Sequence, residues 1–144
     1  MRSLHILAVD DNALNLLLLT RYLSKRPDDT VVSARDGLEA VAAVHAAADP
    51  FDIVFMDISM PGMDGFAATR AIREFEAGRP DHGGSRARIV ALTGLASKRD
   101  REEAERCGFD DFLTKPVSFK LIGRLLEGMS QGDGGSGLEE DDHM

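Results

Sequence analysis

A chain of 144 residues with 43% hydrophobic and 29% charged side chains has the length and composition of one compact domain, with no room for a second of ordinary size. No apolar run approaches the roughly 18 residues needed to cross a bilayer, and a single cysteine, Cys107, excludes an internal disulfide framework. The net charge of −8, to which Asp133, Glu139, Glu140, Asp141 and Asp142 contribute with no lysine or arginine after Glu127, argues against a nucleic-acid-binding face.

Along the chain, apolar runs of strand length alternate with segments of helix length, and the alternation makes a (βα)5 pattern. The first strand is predicted from Leu4 to Val9, followed by a helix that opens near Asn12 and runs through Leu16, Leu17, Leu18 and Leu19 to about Ser24. Pro27-Asp28-Asp29 reads as a turn, Thr30 to Ala34 as the second strand, and Asp36-Gly37 as the entry to an alanine-rich helix that ends before Asp49-Pro50. The third strand, Ile53 to Met56, is apolar on both alternating faces, the mark of the centre of a parallel sheet covered on both sides. A helix follows Pro61-Gly62 from about Gly65 to Ala77. Gly78 to Ser85 is so rich in glycine and proline that it reads as a long surface loop. Ile89 to Leu92 is the fourth strand, and a charged helix from about Lys98 to Cys107 ends at Gly108, a C-cap. Asp111 to Thr114 is the fifth strand, and the last helix follows Pro116 and ends near Glu127. The expected organisation is therefore one domain over residues 1–127 and a disordered, glycine-rich acidic tail over 128–144. Met1-Arg2-Ser3-Leu4-His5-Ile6 lacks the longer apolar core of a secretion signal, so the expected setting is cytoplasmic.

In an open α/β sheet, function gathers beyond the carboxyl ends of the strands. Here those ends carry Asp10-Asp11, Asp57, Thr93 and Lys115-Pro116. A polar residue at one strand end is usually a turn or a cap; three carboxylates, a hydroxyl and an ammonium converging on one edge are harder to explain that way. Like charges raise one another's pKa unless something neutralises them. An all-oxygen set points to Mg²⁺ as the neutralising ion, and Mg²⁺ is commonly held by few carboxylates together with a phosphate oxygen. The site then reads as one for phosphoryl chemistry, with one carboxylate attacking in line while the cation, Lys115 and Thr93 draw charge from the equatorial oxygens.

The residues Val9-Asp10-Asp11-Asn12, Met56-Asp57-Ile58-Ser59-Met60-Pro61-Gly62-Met63-Asp64-Gly65, Ala91-Leu92-Thr93-Gly94 and Thr114-Lys115-Pro116 resemble the response regulator receiver domain of two-component signalling. The resemblance runs from about Leu4 to Glu127, with every element in family order. It implies a doubly wound, flavodoxin-like sheet with strand order 2-1-3-4-5. By the same likeness Asp57 is the phosphoacceptor, and Asp11, Asp57 and the main-chain carbonyl of Ser59 ligate Mg²⁺ directly, with Asp10 acting through a water. Thr93 is the switch hydroxyl, Phe112 the aromatic whose rotamer follows it, and Lys115 the phosphoryl-binding cation ahead of a cis peptide to Pro116. Asp11-Asn12 with Asn15, the Ala91 to Ala96 run, Gly108 to Pro116 and the glycine-rich loop before strand four look like receivers of hybrid histidine kinases, fungal members particularly. The partners implied are a histidine kinase or a histidine phosphotransfer protein, met through the first helix and the loop after strand five. On a helical projection Asn15, Leu16, Leu19 and Leu23 share one side with Leu18 and Tyr22 adjacent, which leaves Leu17 exposed on the polar side. In the resembled family a water is oriented for hydrolysis from two residues beyond the phosphoacceptor and two beyond the switch hydroxyl. Ser59 and Leu95 stand there, so slow self-dephosphorylation is expected.

Other readings of the same residues fail at identifiable positions. A phosphatase of the haloacid dehalogenase type wants an aspartate two residues after its nucleophile, where Ser59 stands. A flavin or nucleotide binder needs a phosphate cradle after strand one, where Asp10-Asp11 would repel it. A receiver-like interaction module that works without phosphorylation is the alternative, but it normally lacks part of the acidic set or the lysine, and all are present here. His5, His45, His82 and His143 share no ligand spacing, so no transition-metal site is expected, and Cys107 reads as a small packed residue.

Overall fold

The computed structural model describes residues 2–79, 86–94 and 97–131. In chain order the elements are β1 (His5–Val9), α1 (Ala13–Leu23), β2 (Thr30–Ala34), α2 (Gly37–Ala46), β3 (Ile53–Asp57), α3 (Gly65–Ala77), β4 (Arg88–Thr93), α4 (Lys98–Cys107), β5 (Asp111–Thr114) and α5 (Phe119–Ser130). The strands form one parallel sheet in the order β2-β1-β3-β4-β5, as expected from the sequence. β3 lies at its centre and is buried along its whole length, which is why its sequence is apolar without alternation.

Alternation along the strands splits the core in two. Leu7, Val9, Val54, Met56, Ile89 and Ala91 face a layer that includes Ala40 of α2, Ala68 and Ile72 of α3, and Ala104 and Cys107 of α4. Ile6, Ala8, Ile53, Phe55, Val90, Leu92 and Leu113 face Leu16, Leu19 and Leu23 of α1 and Leu121, Ile122, Leu125 and Leu126 of α5. Each helix starts on a side-chain cap: Asn12, Asp36, Asp64, Ser97 and Ser118 accept from the backbone N–H groups of Asn15, Glu39, Ala67, Asp100 and Leu121. Gly108 ends α4 at a φ of 108°, a left-handed conformation that only glycine adopts without strain.

The structure departs from the sequence reading at several places; β4 runs from Arg88 through Thr93, one residue further at each end than Ile89 to Leu92, and β1 begins at His5 and not Leu4. β3 extends through Asp57, one residue past the expected Met56, so the acid itself belongs to the strand. α5 continues to Ser130 rather than ending near Glu127, because Met129 still packs in the α1–α5 layer and the Ser130 carbonyl accepts from the Arg2 N–H at 2.8 Å. The boundary at 127 therefore cuts a buried helical turn. On α1, Leu17 is exposed as expected, but Leu18 and Leu14 are exposed with it. The reading of 132–144 as a tail, the body of the Gly78–Ser85 loop beyond Arg79, and Leu95 lie outside the described residues. Among the described residues no helix is long and apolar enough to cross a membrane.

Candidate functional site

Parallel strands in register deliver their carboxyl ends to one edge, and four of them meet there. Val9 pairs with Met56, Asp57 with Leu92, and Thr93 with Thr114, so Asp10, Asp57, Thr93 and Lys115 all stand at or just past the last ladder positions. Asp10 and Asp57 are buried, at 3% and 1% exposure, and Thr93 is buried beside them, while Asp11 reaches solvent. Carboxylate oxygens of Asp10, Asp11 and Asp57 lie within 4.8 Å of one another, a group able to hold a metal ion.

The backbone holds these acids still. The Asn12 N–H donates to Asp10 Oδ1 at 2.9 Å while the Asn12 side chain caps α1, so one residue both orients Asp10 and starts the helix. The Ser59 N–H donates to Asp57 Oδ1 at 3.2 Å. The Gly65 N–H closes the loop after β3 by donating to the Ile58 carbonyl at 3.0 Å. A Cβ on Gly65 would lie 2.5 Å from the Asp57 carbonyl oxygen and 2.7 Å from the Ile58 Cα, so only glycine lets α3 begin this close to the strand end. The sequence pattern carries this requirement only as the Asp64-Gly65 pair after Pro61-Gly62, which by itself reads as a helix start.

Among the described residues one cation pairs with the cluster. Lys115 Nζ lies 3.3 Å from Asp57 Oδ1 and 3.5 Å from Asp10 Oδ2. The Lys115 backbone N–H donates to the Thr93 carbonyl at 2.7 Å, which pins β5 to β4 at the site, and the Lys115–Pro116 peptide is cis as expected. Burial, with the Asp10 charge next, pushes the Asp57 carboxyl up to about 6; Lys115 opposes the rise but does not cancel it. A single ammonium leaves the three acids under-neutralised, and their all-oxygen donor set fits a hard divalent cation. Phe112, the residue expected to follow the switch hydroxyl, is half-buried on β5 against the α2–α4 layer, with the Arg101 guanidinium 4.9 Å above its ring.

The family model of the response regulator receiver domain matches residues 6–127. The chain belongs to this family. The receiver is 42% identical over 125 residues to the sensor protein GacS of Pseudomonas syringae pv. syringae, covering 87% of this chain and 13% of that protein. It is 38% identical to hybrid signal transduction histidine kinase I of Dictyostelium discoideum, over 84% of this chain and 7% of that protein. The chain thus spans a small fraction of the curated relatives it matches, and its likeness is to the receiver parts of hybrid kinases. Among solved structures, the receiver domain of the sensor histidine kinase PA1611 from Pseudomonas aeruginosa, with a magnesium ion in its active-site cleft, is 32% identical at a TM-score of 0.71, covering 90% of this chain and 98% of that one. The Saccharomyces cerevisiae Ssk1 receiver, co-crystallised with the histidine phosphotransfer protein Ypd1, is 28% identical at a TM-score of 0.80, with 90% of each chain covered.

Proposed function

We propose that this receiver accepts a phosphoryl group from phosphohistidine onto Asp57 and passes the signal on within a histidine-to-aspartate phosphorelay. The observation that carries the reading is the buried Asp57 carboxylate, set between Asp10, Asp11 and the Lys115 ammonium at the carboxyl edge of the sheet. An Asp57 carboxylate oxygen attacks phosphorus, the phosphorus–nitrogen bond of the donor breaks, and the imidazole nitrogen keeps the electron pair. Asp10, Asp11, Asp57 and the main-chain carbonyl of Ser59 would hold Mg²⁺, which when bound neutralises the carboxylates and the phosphoryl oxygens. Lys115, 3.3 Å from Asp57 Oδ1, would draw developing charge from the phosphoryl oxygens. Thr93, buried at the end of β4, would turn its hydroxyl to donate a hydrogen bond to a phosphoryl oxygen, and the Phe112 ring on β5 would change rotamer with it. Burial of Asp57 keeps bulk water away from its carboxylate.

The donor and acceptor partners in this reading are a histidine kinase and a histidine phosphotransfer protein. Leu14, Leu17 and Leu18, exposed on the helix that begins beside Asp11, offer them an apolar contact. The setting is cytoplasmic, where a lone thiol such as Cys107 stays reduced. The protein should take up a phosphoryl group from acetyl phosphate only with Mg²⁺ present, and Asp57→Asn should abolish the uptake. Intact-protein mass spectrometry reads the phosphorylated fraction directly, and an equal fraction in that variant would move the acceptor to another residue.

A further inference from the structure

The loop that carries Ser59 is closed on three sides. At its start the Ser59 N–H binds Asp57 Oδ1, and at its end Gly65 is seated against Asp57 and Ile58. Between them Met60 is buried in the core, and Gly62 turns the chain at a φ of 75°. The third side is the first turn of α2. A Cβ on Gly37 would lie 2.3 Å from the Met63 carbonyl oxygen, 2.9 Å from Met63 Cγ and 3.0 Å from Met63 Cβ. The first of these is a contact with backbone, which cannot swing aside as a side-chain end can.

The start of α2 is itself held in place. The Asp36 side chain accepts from the Glu39 N–H at 2.8 Å, which caps the helix, and the Glu39 carboxylate accepts from the Arg35 N–H at 2.8 Å, which ties the first turn to the chain ahead of it. Ala40, one turn on, is fully buried, and its N–H donates to the Asp36 carbonyl. With the helix start fixed, a side chain at position 37 moves the Met63 backbone. Met63 lies four residues after Ser59 in the same loop.

We propose that Gly37 is a positioning residue for the metal site: its missing Cβ lets the Met63 carbonyl seat on α2, and this seat sets where the Ser59 main chain sits relative to Asp57. The inference rests on the reading of Asp10, Asp11, Asp57 and Ser59 as Mg²⁺ ligands. It assigns to α2, an element that contributes no ligand, a share of the site's affinity. The backbone that orients a ligand is coupled to metal affinity in the way outer partners of ligands generally are.

The test is a titration of the unphosphorylated protein with Mg²⁺, followed by isotope-edited NMR of the loop amides and by calorimetry. Wild type should bind, and Gly37→Ala should bind about tenfold more weakly while retaining the spectrum of a folded sheet. Leu38→Ala, at the exposed neighbouring position, should bind as wild type does. If Gly37→Ala is too unstable to titrate alone, both proteins are titrated in a stabilising osmolyte such as trimethylamine N-oxide, which favours the folded state without altering the fit at position 37. A folded Gly37→Ala variant with the wild-type dissociation constant overturns the inference. A wild type that binds no Mg²⁺ overturns instead the metal reading on which it rests.

Discussion

The two edges of the sheet treat charge in opposite ways. At the amino ends of the strands, carboxylates are matched with arginines and backbone donors. Asp111 pairs with Arg88, and Asp110 accepts from Arg73, Arg86 and the Ile89 N–H. Glu76 accepts from Arg73 and the Ala87 N–H, Asp52 from Arg2 and the His5 N–H, and Asp29 from Arg26 and the Leu4 N–H. At the carboxyl ends three carboxylates cluster, two of them, Asp10 and Asp57, share Lys115, and the most buried of the three is pushed up to about 6. The first edge is arranged for stability. The second leaves the Asp57 carboxylate disfavoured in its charged form, beside a group of acids able to hold a hard cation.

Removing a carboxylate should therefore have opposite signs at the two edges. Asp111→Asn leaves the Arg88 guanidinium buried with a weakened partner and should lower stability by about 3 kcal/mol, read as a shifted urea midpoint. Asp57→Asn should instead raise stability by about 2 kcal/mol at pH 7.5 without Mg²⁺, since it removes a charge that the fold disfavours. Loss of stability in that variant would mean that the two edges do not differ in this respect.

The pH dependence follows from the same shift. Asp57 in the folded state titrates near 6, above its ordinary value of 3.8, so between those limits the folded protein binds more protons than the unfolded chain. The contribution of Asp57 to stability is fully present below about 3.8 and is lost as pH rises through about 6. The advantage of Asp57→Asn over wild type should accordingly shrink as pH is lowered from 7.5 to 4.5. A gap that widened on acidification would reverse the sign assigned to the site.

Two smaller effects sharpen the picture of the carboxyl edge. We expect the phosphorylated protein to decay slowly, because leucine at position 95 cannot orient a water by hydrogen bonding and Ser59 is short. Leu95→Glu should speed decay by about tenfold in a Mg²⁺-containing time course, and a variant no faster than wild type would remove the argument. Leu17→Asp should slow transfer with a cognate phosphotransfer protein by about fivefold with the fold intact, because one exposed apolar contact of three is lost. Unaltered transfer would exclude α1 as the docking face.

The sequence by itself determined the alternation of strands and helices, because the period of apolar residues is a local property and Asn12, Asp36, Asp64, Ser97 and Ser118 mark the helix starts with their own side chains. It also determined which acids, hydroxyl and lysine stand at strand ends, since in a parallel sheet each strand must deliver its last residues to the same edge. Only the tertiary structure decided what those residues do to one another. That Lys115 is divided between Asp10 and Asp57 depends on strand register and on side chains far apart in the chain. The same holds for the arginine pairing at the opposite edge, where Arg73 of α3 meets Asp110 ahead of β5. The exposure of Leu14 and Leu18 and the burial of Met129 follow from where α5 lies beside α1, which no helical period specifies. The closeness of Gly37 to Met63 is likewise a contact between the first turn of α2 and the loop ahead of α3, invisible until α2 and α3 are packed on the same face of the sheet.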